Sequence, residues 1–134
     1  MVVDTSAIVS VFLQEPDAAR FAKCIGEHGG PMISAATVLE TSIVVRSRKQ
    51  MDMAEAERWL DEFLAVGRIR IVPVTVEQVD AARLAHRRFG KGTGHPAGLN
   101  FGDCFAYALA KTLEVPLLFK GQDFAMTDVE PALA

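Results

Sequence analysis

The chain has 134 residues, 50% of them hydrophobic and 23% charged, the mix of one folded globular domain and not of a disordered or fibrous chain. At this length roughly two-thirds of the unfolded surface is buried on folding, so a core forms without staples. A net charge of −3 and a pI near 5.6 exclude a polycation that coats phosphate backbones, so any nucleic acid must be gripped locally.

Cys24 and Cys104 stand far apart with no C-x-x-C pair, which argues against a disulfide framework or a zinc knuckle and for a reducing, cytoplasmic setting. Asp4 interrupts the start too early for a signal peptide, and no basic n-region is present. No apolar run reaches the roughly 18 residues of a membrane span, so no membrane partner is expected.

Met1 to Asp4 reads as a short buried strand and Ser6 to Leu13 as a helix; Pro16, at a first-turn position, opens a second helix that ends at Glu27 before His28-Gly29-Gly30. Pro31 to Ser34 is a second strand, followed by a helix over about Ala36 to Arg48. Met53 to Val66 is helical, with Trp59 and Phe63 one turn apart. Gly67 ends it, and Arg68 to Val74 alternates charged and apolar residues as a strand near a sheet edge does. Thr75 caps a helix running to about Phe89, and the segment GKGTGHPAG, Gly90 to Gly98, is a loop. Phe101 to Leu113 is helical and Val115 to Phe119 a buried strand. Strands separated by helices of about 10 to 15 residues imply crossover units, hence an α/β domain with a mainly parallel sheet covered on both faces.

Sites in such sheets lie beyond the carboxyl ends of the strands, where strand order reverses. Asp4 occupies one such end, and Lys120, Gln122 and Asp123 follow another. Glu40 sits between Leu39 and Ile43 in an early helical turn almost free of charge, and Asp103 opens an otherwise apolar helix in LNFGDCFAYALAK. Each acid also has a plain structural reading. Asp4, Thr5 and Ser6 are all good N-cap residues, Asp103 and Asn100 have capping-box spacing, Glu40 could be an ordinary helical residue, and Asp123 could stabilise a turn.

Four acids gathered on one rim would raise one another's pKa unless a cation sat among them. Oxygen-only donors select hard ions such as Mg²⁺ or Mn²⁺, whereas the three histidines and two cysteines lack zinc-ligand spacing. There is no G-x-x-x-x-G-K-[ST] loop and no G-x-S-x-G elbow.

DTSA at the first strand end, Glu40, the stretch LNFGDCFAYALAK and a final apolar strand followed by GQDF together resemble a PIN-domain ribonuclease, nearest to the VapC toxins of bacterial toxin–antitoxin pairs. The resemblance covers nearly the whole chain and implies a single PIN domain over residues 1–134, a PIN-like three-layer α/β/α fold with four to five strands. It also implies an Mg²⁺-dependent endoribonuclease, with Mn²⁺ as a substitute. Asp4 and Asp103 match the principal metal ligands, Glu40 and Asp123 the remaining acids of the catalytic pocket, and Thr5 or Ser6 its hydrogen-bonding support. Thr5 or Ser6 is then expected to cap the first helix, which leaves Asp4 for the metal. A VapB-like antitoxin, an RNA substrate and a homodimer are the implied partners.

Arg46, Arg48 and Lys49, and Arg83, Arg87, Arg88 and Lys91, are the candidate RNA-binding residues, set against the simpler reading of solvated helix faces. His86 and His95 read as surface or loop residues, and Cys104 as a small core residue rather than a nucleophile. Trp59, Phe63, Phe105 and Tyr107 are first read as core. Two rival readings remain: a phosphoacceptor signalling domain, which has a lysine after a strand as Lys120 is here but needs an acidic pair at the first strand end where VVDTS has one acid, and a catalytically silent PIN-like binding module, which would lack these acids.

Overall fold

The structure is a computed structural model that describes residues 1–133. Its elements run β1 (Val2–Val3), α1 (Thr5–Phe12), α2 (Ala18–Glu27), β2 (Met32–Ser34), α3 (Ala35–Lys49), α4 (Met53–Val66), β3 (Arg70–Val72), α5 (Val76–Phe89), α6 (Phe101–Leu113) and β4 (Leu117–Leu118), with a 3₁₀ turn at Phe124–Met126. The four strands form one wholly parallel sheet in the order β3-β2-β1-β4.

The pleat explains the layers. Alternate residues of a strand face opposite sides, so Val2 and Leu117 join the core under α5 and α6 with Phe89, Ala106 and Leu109. Val3, Ile33 and Leu118 turn the other way, onto Ile8, Phe21, Ile25, Leu60 and Leu64 of α1, α2 and α4. β1, β2 and β4 are buried on both faces, which is why they read as continuous apolar runs, whereas β3 is largely exposed.

Strand order also locates the crevice. The chain winds outward from β1 through β2 to β3, then returns over α5 and α6 to place β4 on the far side of β1. The reversal falls between β1 and β4, where the Asp4 amide donates to the Leu118 carbonyl at 2.9 Å.

The expected elements are all present, with several adjusted bounds. The second helix begins at Ala18, not Pro16, which lies in the turn before it. The strand expected over Arg68 to Val74 contracts to Arg70–Val72, because Arg68 takes φ +52° and Pro73 has no N–H for the ladder. It is the edge strand, as its alternation suggests. The last strand contracts from Val115–Phe119 to Leu117–Leu118, and Pro131 bridges beside Leu117. In the loop after α5, Gly92 and Gly94 both have φ +89°, a conformation other residues resist.

Candidate active site

Asp4 both caps a helix and lines the candidate site. Leaving β1 in extended conformation, it is the N-cap of α1, and its Oδ2 accepts from the Ser6 amide at 2.9 Å and the Ser6 hydroxyl at 2.7 Å. Thr5 and Ser6 therefore do not cap this helix; the residue whose backbone is still extended does, as cap geometry requires. The other oxygen, Oδ1, is buried without a hydrogen-bond partner, in a side chain only 2% exposed. A buried carboxylate oxygen left bare is costly, so Asp4 has a raised pKa, from burial first and from the charge of Asp123 second, against the lowering effect of the Ser6 and Thr5 hydrogen bonds.

Glu40 reaches the same place from α3, one helix after β2. Its Oε1 accepts from the Thr5 hydroxyl at 2.6 Å; Thr5 Oγ1 also lies 2.9 Å from Thr41 Oγ1, which donates to the Thr37 carbonyl at 2.8 Å. Burial raises the Glu40 pKa, the Thr5 bond opposes that, and the Asp4 charge adds to it.

Asp103 enters from the first turn of α6. Asn100 and Asp103 form the capping box that their spacing suggests, with the Asn100 amide donating to Asp103 Oδ2 at 3.0 Å and the Asp103 amide to Asn100 Oδ1 at 2.9 Å. That leaves Asp103 Oδ1 without a bond in the box. Its pKa is raised to about 7, mainly by burial, against the Asn100 backbone bond, and further by Asp4, Glu40 and Asp123. Asp103 thus closes the capping box of α6 and lines the same cavity as Asp4 and Glu40.

Asp4, Thr5, Ser6, Glu40, Asn100 and Asp103 line an open cavity of about 380 Å³, closed at its rim by Val9, Val44, Glu15, Arg48 and Lys120. Asp123 is exposed and does not line it, but acts on Asp4 and Asp103 through its charge. Of the basic candidates, only Arg48 reaches this rim. Arg46 lines a groove between α3 and α4 with Leu39, Ile43 and Met53, and Arg83 lines another between α5 and α6 with Phe101 and Phe105. Arg87 and Lys91 are exposed, Arg88 pairs with Asp128 at 3.5 Å, and the Lys49 ammonium lies over Phe12.

Glu15 and Asn100 also line the cavity without having been expected there, and Lys120, expected only as a residue that follows a strand end, joins them. Glu15 and Asp17 lie in a polar turn between two helices and carry no sequence signal beyond that. Cys104 is a core residue as expected: its thiol donates to the Asn100 carbonyl and burial pushes its pKa up to about 11, while His95 packs on Phe89. Tyr107 is buried, and its hydroxyl donates to Asp128 at 2.6 Å; Trp59 and Phe63 are half-buried and stack on each other.

Among the described residues no three Asp, Glu, His or Cys side chains form a ready-made metal cage. The donor set nevertheless suits a hard divalent ion: a bare buried Asp4 oxygen, the Asp103 oxygen left out of the capping box, and the neighbouring Glu40 carboxylate lining the same cavity. Mg²⁺ commonly takes only one or two carboxylates and keeps water in its remaining positions, so a closed cage is not required.

A parallel sheet with this strand order, and three acids beyond its carboxyl edge lining one cavity, define an α/β protein with an acidic cleft. The family model described as PIN domain matches residues 1–130, and the chain belongs to that family. A ribonuclease VapC of Mycolicibacterium smegmatis is 48% identical over 129 residues, spanning 96% of this chain and 97% of its own. Ribonuclease VapC28 of Mycobacterium tuberculosis is 45% identical over 133 residues, spanning 99% and 98%. Among solved structures, Mycobacterium tuberculosis VapC20, a sarcin-ricin loop cleaving toxin, superposes with a TM-score of 0.70 over 97% of this chain and 98% of that one; at 16% identity the likeness concerns the fold.

Proposed function

We propose that this protein is a metal-dependent endoribonuclease that hydrolyses RNA phosphodiester bonds as the toxin of a VapBC-type pair. The observation that supports this most is the bare Oδ1 of Asp4, buried beside two other carboxylates whose pKa values are raised. A site with that much unbalanced negative charge is arranged for a cation, and names of relatives spanning nearly the whole chain agree with a ribonuclease.

Asp4 and Asp103 would hold Mg²⁺, or Mn²⁺ in its place, with Glu40 and Asp123 completing the acidic surroundings. When bound, the ion supplies Lewis acidity toward the scissile phosphate and the attacking water. Glu40, whose pKa is raised by burial, is the group suited to accept a proton from that water, and the Thr5 hydroxyl fixes its carboxylate. Ser6 fixes Asp4 in the same way. Arg48 at the cavity is the basic residue placed to meet the RNA backbone, while Arg46, Arg83, Arg87 and Lys91 do not line it and would meet RNA only beyond the cleft.

The partners that go with this reading are a VapB-like antitoxin and a second copy of the toxin, in the cytoplasm. No helix among the described residues is long and apolar enough to cross a membrane. The test is incubation of the purified chain, free of any small co-purifying protein, with structured RNAs in Mg²⁺, in Mn²⁺ and in chelator, beside Asp103→Asn. Cleavage is expected only with metal and only with Asp103; cleavage in chelator, or full activity of the variant, overturns the mechanism. Expression should arrest growth, and co-expression of the antitoxin should relieve it.

A further inference from the structure

Lys120 lies two residues beyond the end of β4, outside the hydrogen-bond ladder, and Gly121 follows it with φ +100°, so the sheet does not fix its backbone. Two contacts do. Its amide donates to Ser6 Oγ at 2.9 Å, across 114 positions of sequence, and its ammonium binds Glu15 Oε2 and, at 3.0 Å, Asp17 Oδ1. Asp17 is in turn held by the Ser10 hydroxyl at 2.8 Å.

The Ser6 hydroxyl has one proton. Because its oxygen accepts from the Lys120 amide, that proton is free to go to Asp4 Oδ2, which also accepts from the Ser6 amide. Asp4 Oδ2 is thereby doubly bonded, and the carboxylate cannot rotate to exchange its oxygens without losing both bonds. Oδ1 is left without a hydrogen-bond partner, in a side chain that lines the cavity.

We propose that Lys120 is a positioning residue of this site: clipped by Glu15 and Asp17, it holds the amide that orients Ser6 and so fixes which oxygen Asp4 presents. The inference rests on the metal-dependent reading for its consequence, but the hydrogen-bond chain stands without it. The ion pairs themselves are about one-third exposed, and such solvent-screened pairs add little to stability, so the effect of the clip is local.

The test uses the full chain with Lys120→Gln, Lys120→Arg and the double variant Glu15→Gln/Asp17→Asn. In chelator, amide hydrogen exchange of Ser6 and residue 120 is expected to quicken about tenfold or more in Lys120→Gln and in the double variant, while the Met32 and Arg70 amides, bonded to the Met1 and Pro31 carbonyls, keep their protection. Lys120→Arg should restore it. Mn²⁺ affinity, read by calorimetry without RNA, should fall about tenfold in the same variants, the scale on which residues supporting a metal ligand act. Unchanged exchange at Ser6, loss spread evenly over the sheet, or no rescue by arginine overturns the proposal. A wild-type chain that binds no Mn²⁺ while its exchange responds as stated leaves the positioning role standing and sinks the metal-dependent reading instead.

Discussion

Gly102 and Glu40 occupy each other's margins: a Cβ built on Gly102 would fall on the Glu40 carboxylate. Gly102 sits in the first turn of α6, between the aromatic Phe101 and the acid Asp103, where alanine would ordinarily favour the helix by about 0.5–1 kcal/mol. Here the absence of a side chain is what lets α3 and α6 bring two carboxylates into one cavity. Gly102→Ala should therefore fold with nearly the wild-type melting temperature, since only the far end of a flexible side chain must move. It should lose at least about tenfold in RNA cleavage, because Glu40 is pushed off its Thr5 bond. Paired melting and cleavage measurements check this, and an active Gly102→Ala would deny Glu40 its place.

The coupled acids set a pH dependence. Asp103 titrates at about 7 when folded, against 3.8 for its ordinary value. The folded value is the higher one, so the folded state holds an extra proton between the two, and the stability Asp103 contributes is complete below about pH 4 and lost as pH rises through about 7. Asp4 and Glu40 are shifted in the same direction. Glu15, Asp17 and Asp128, with lowered values, act oppositely but only in more acidic solution. In chelator, the melting temperature should fall from pH 5 to pH 8, and divalent cation should recover it at the upper end. Asp103→Asn should flatten the decline, a comparison that also cancels the opposing contribution of His28, whose pKa burial lowers. A wild-type profile as flat as the variant's would contradict the coupling.

Asp4→Asn separates the two roles of one side chain. The amide oxygen can still accept from Ser6 and cap α1, while the oxygen at Oδ1 becomes an NH₂ group that cannot ligate a cation. Stability in chelator should stay within about 1 kcal/mol of wild type, the size of a cap effect, and cleavage should become undetectable. A denaturant titration beside an RNA assay distinguishes this from a residue that only caps, whose loss would leave activity in proportion to folded protein.

Arg48 is the one expected RNA contact at the cavity rim, and Arg46, two residues earlier, faces a different groove. Arg48→Ala should weaken binding of a single-stranded RNA several-fold and reduce the steepness of its salt dependence by about 0.7, one phosphate contact. Arg46→Ala should change neither as much. Affinities measured across a salt series, with Asp103→Asn protein to prevent cleavage, decide between them.

The sequence already disclosed the helices and the parallel sheet, because continuous apolar runs such as VPLLF and amphipathic stretches such as Met53 to Val66 each have one burial solution. It disclosed the positions of Asp4 and Asp103 for a related reason: an acid at a strand end or helix start is conspicuous in apolar company. It did not disclose that Asp4 is the cap, since three adjacent residues could serve and only the backbone angle chooses. Nor could it show that Lys120 meets Glu15 and Asp17, a contact between two loops whose pairing depends on where β4 lies relative to β1. Asp123 followed from a motif, yet its side chain is exposed, and only its charge reaches the other acids.

β4 has one consequence for the life of the chain. It lies against β1, and the Asp4 amide and the Ser6 hydroxyl meet groups at Leu118 and Lys120, 114 residues further along the chain. A nascent chain that has already produced Asp4, Glu40 and Asp103 thus lacks the strand and the loop amide that bring Asp4 into register. The cleft is therefore completed only when Leu118 and Lys120 have been made and β4 has docked on β1.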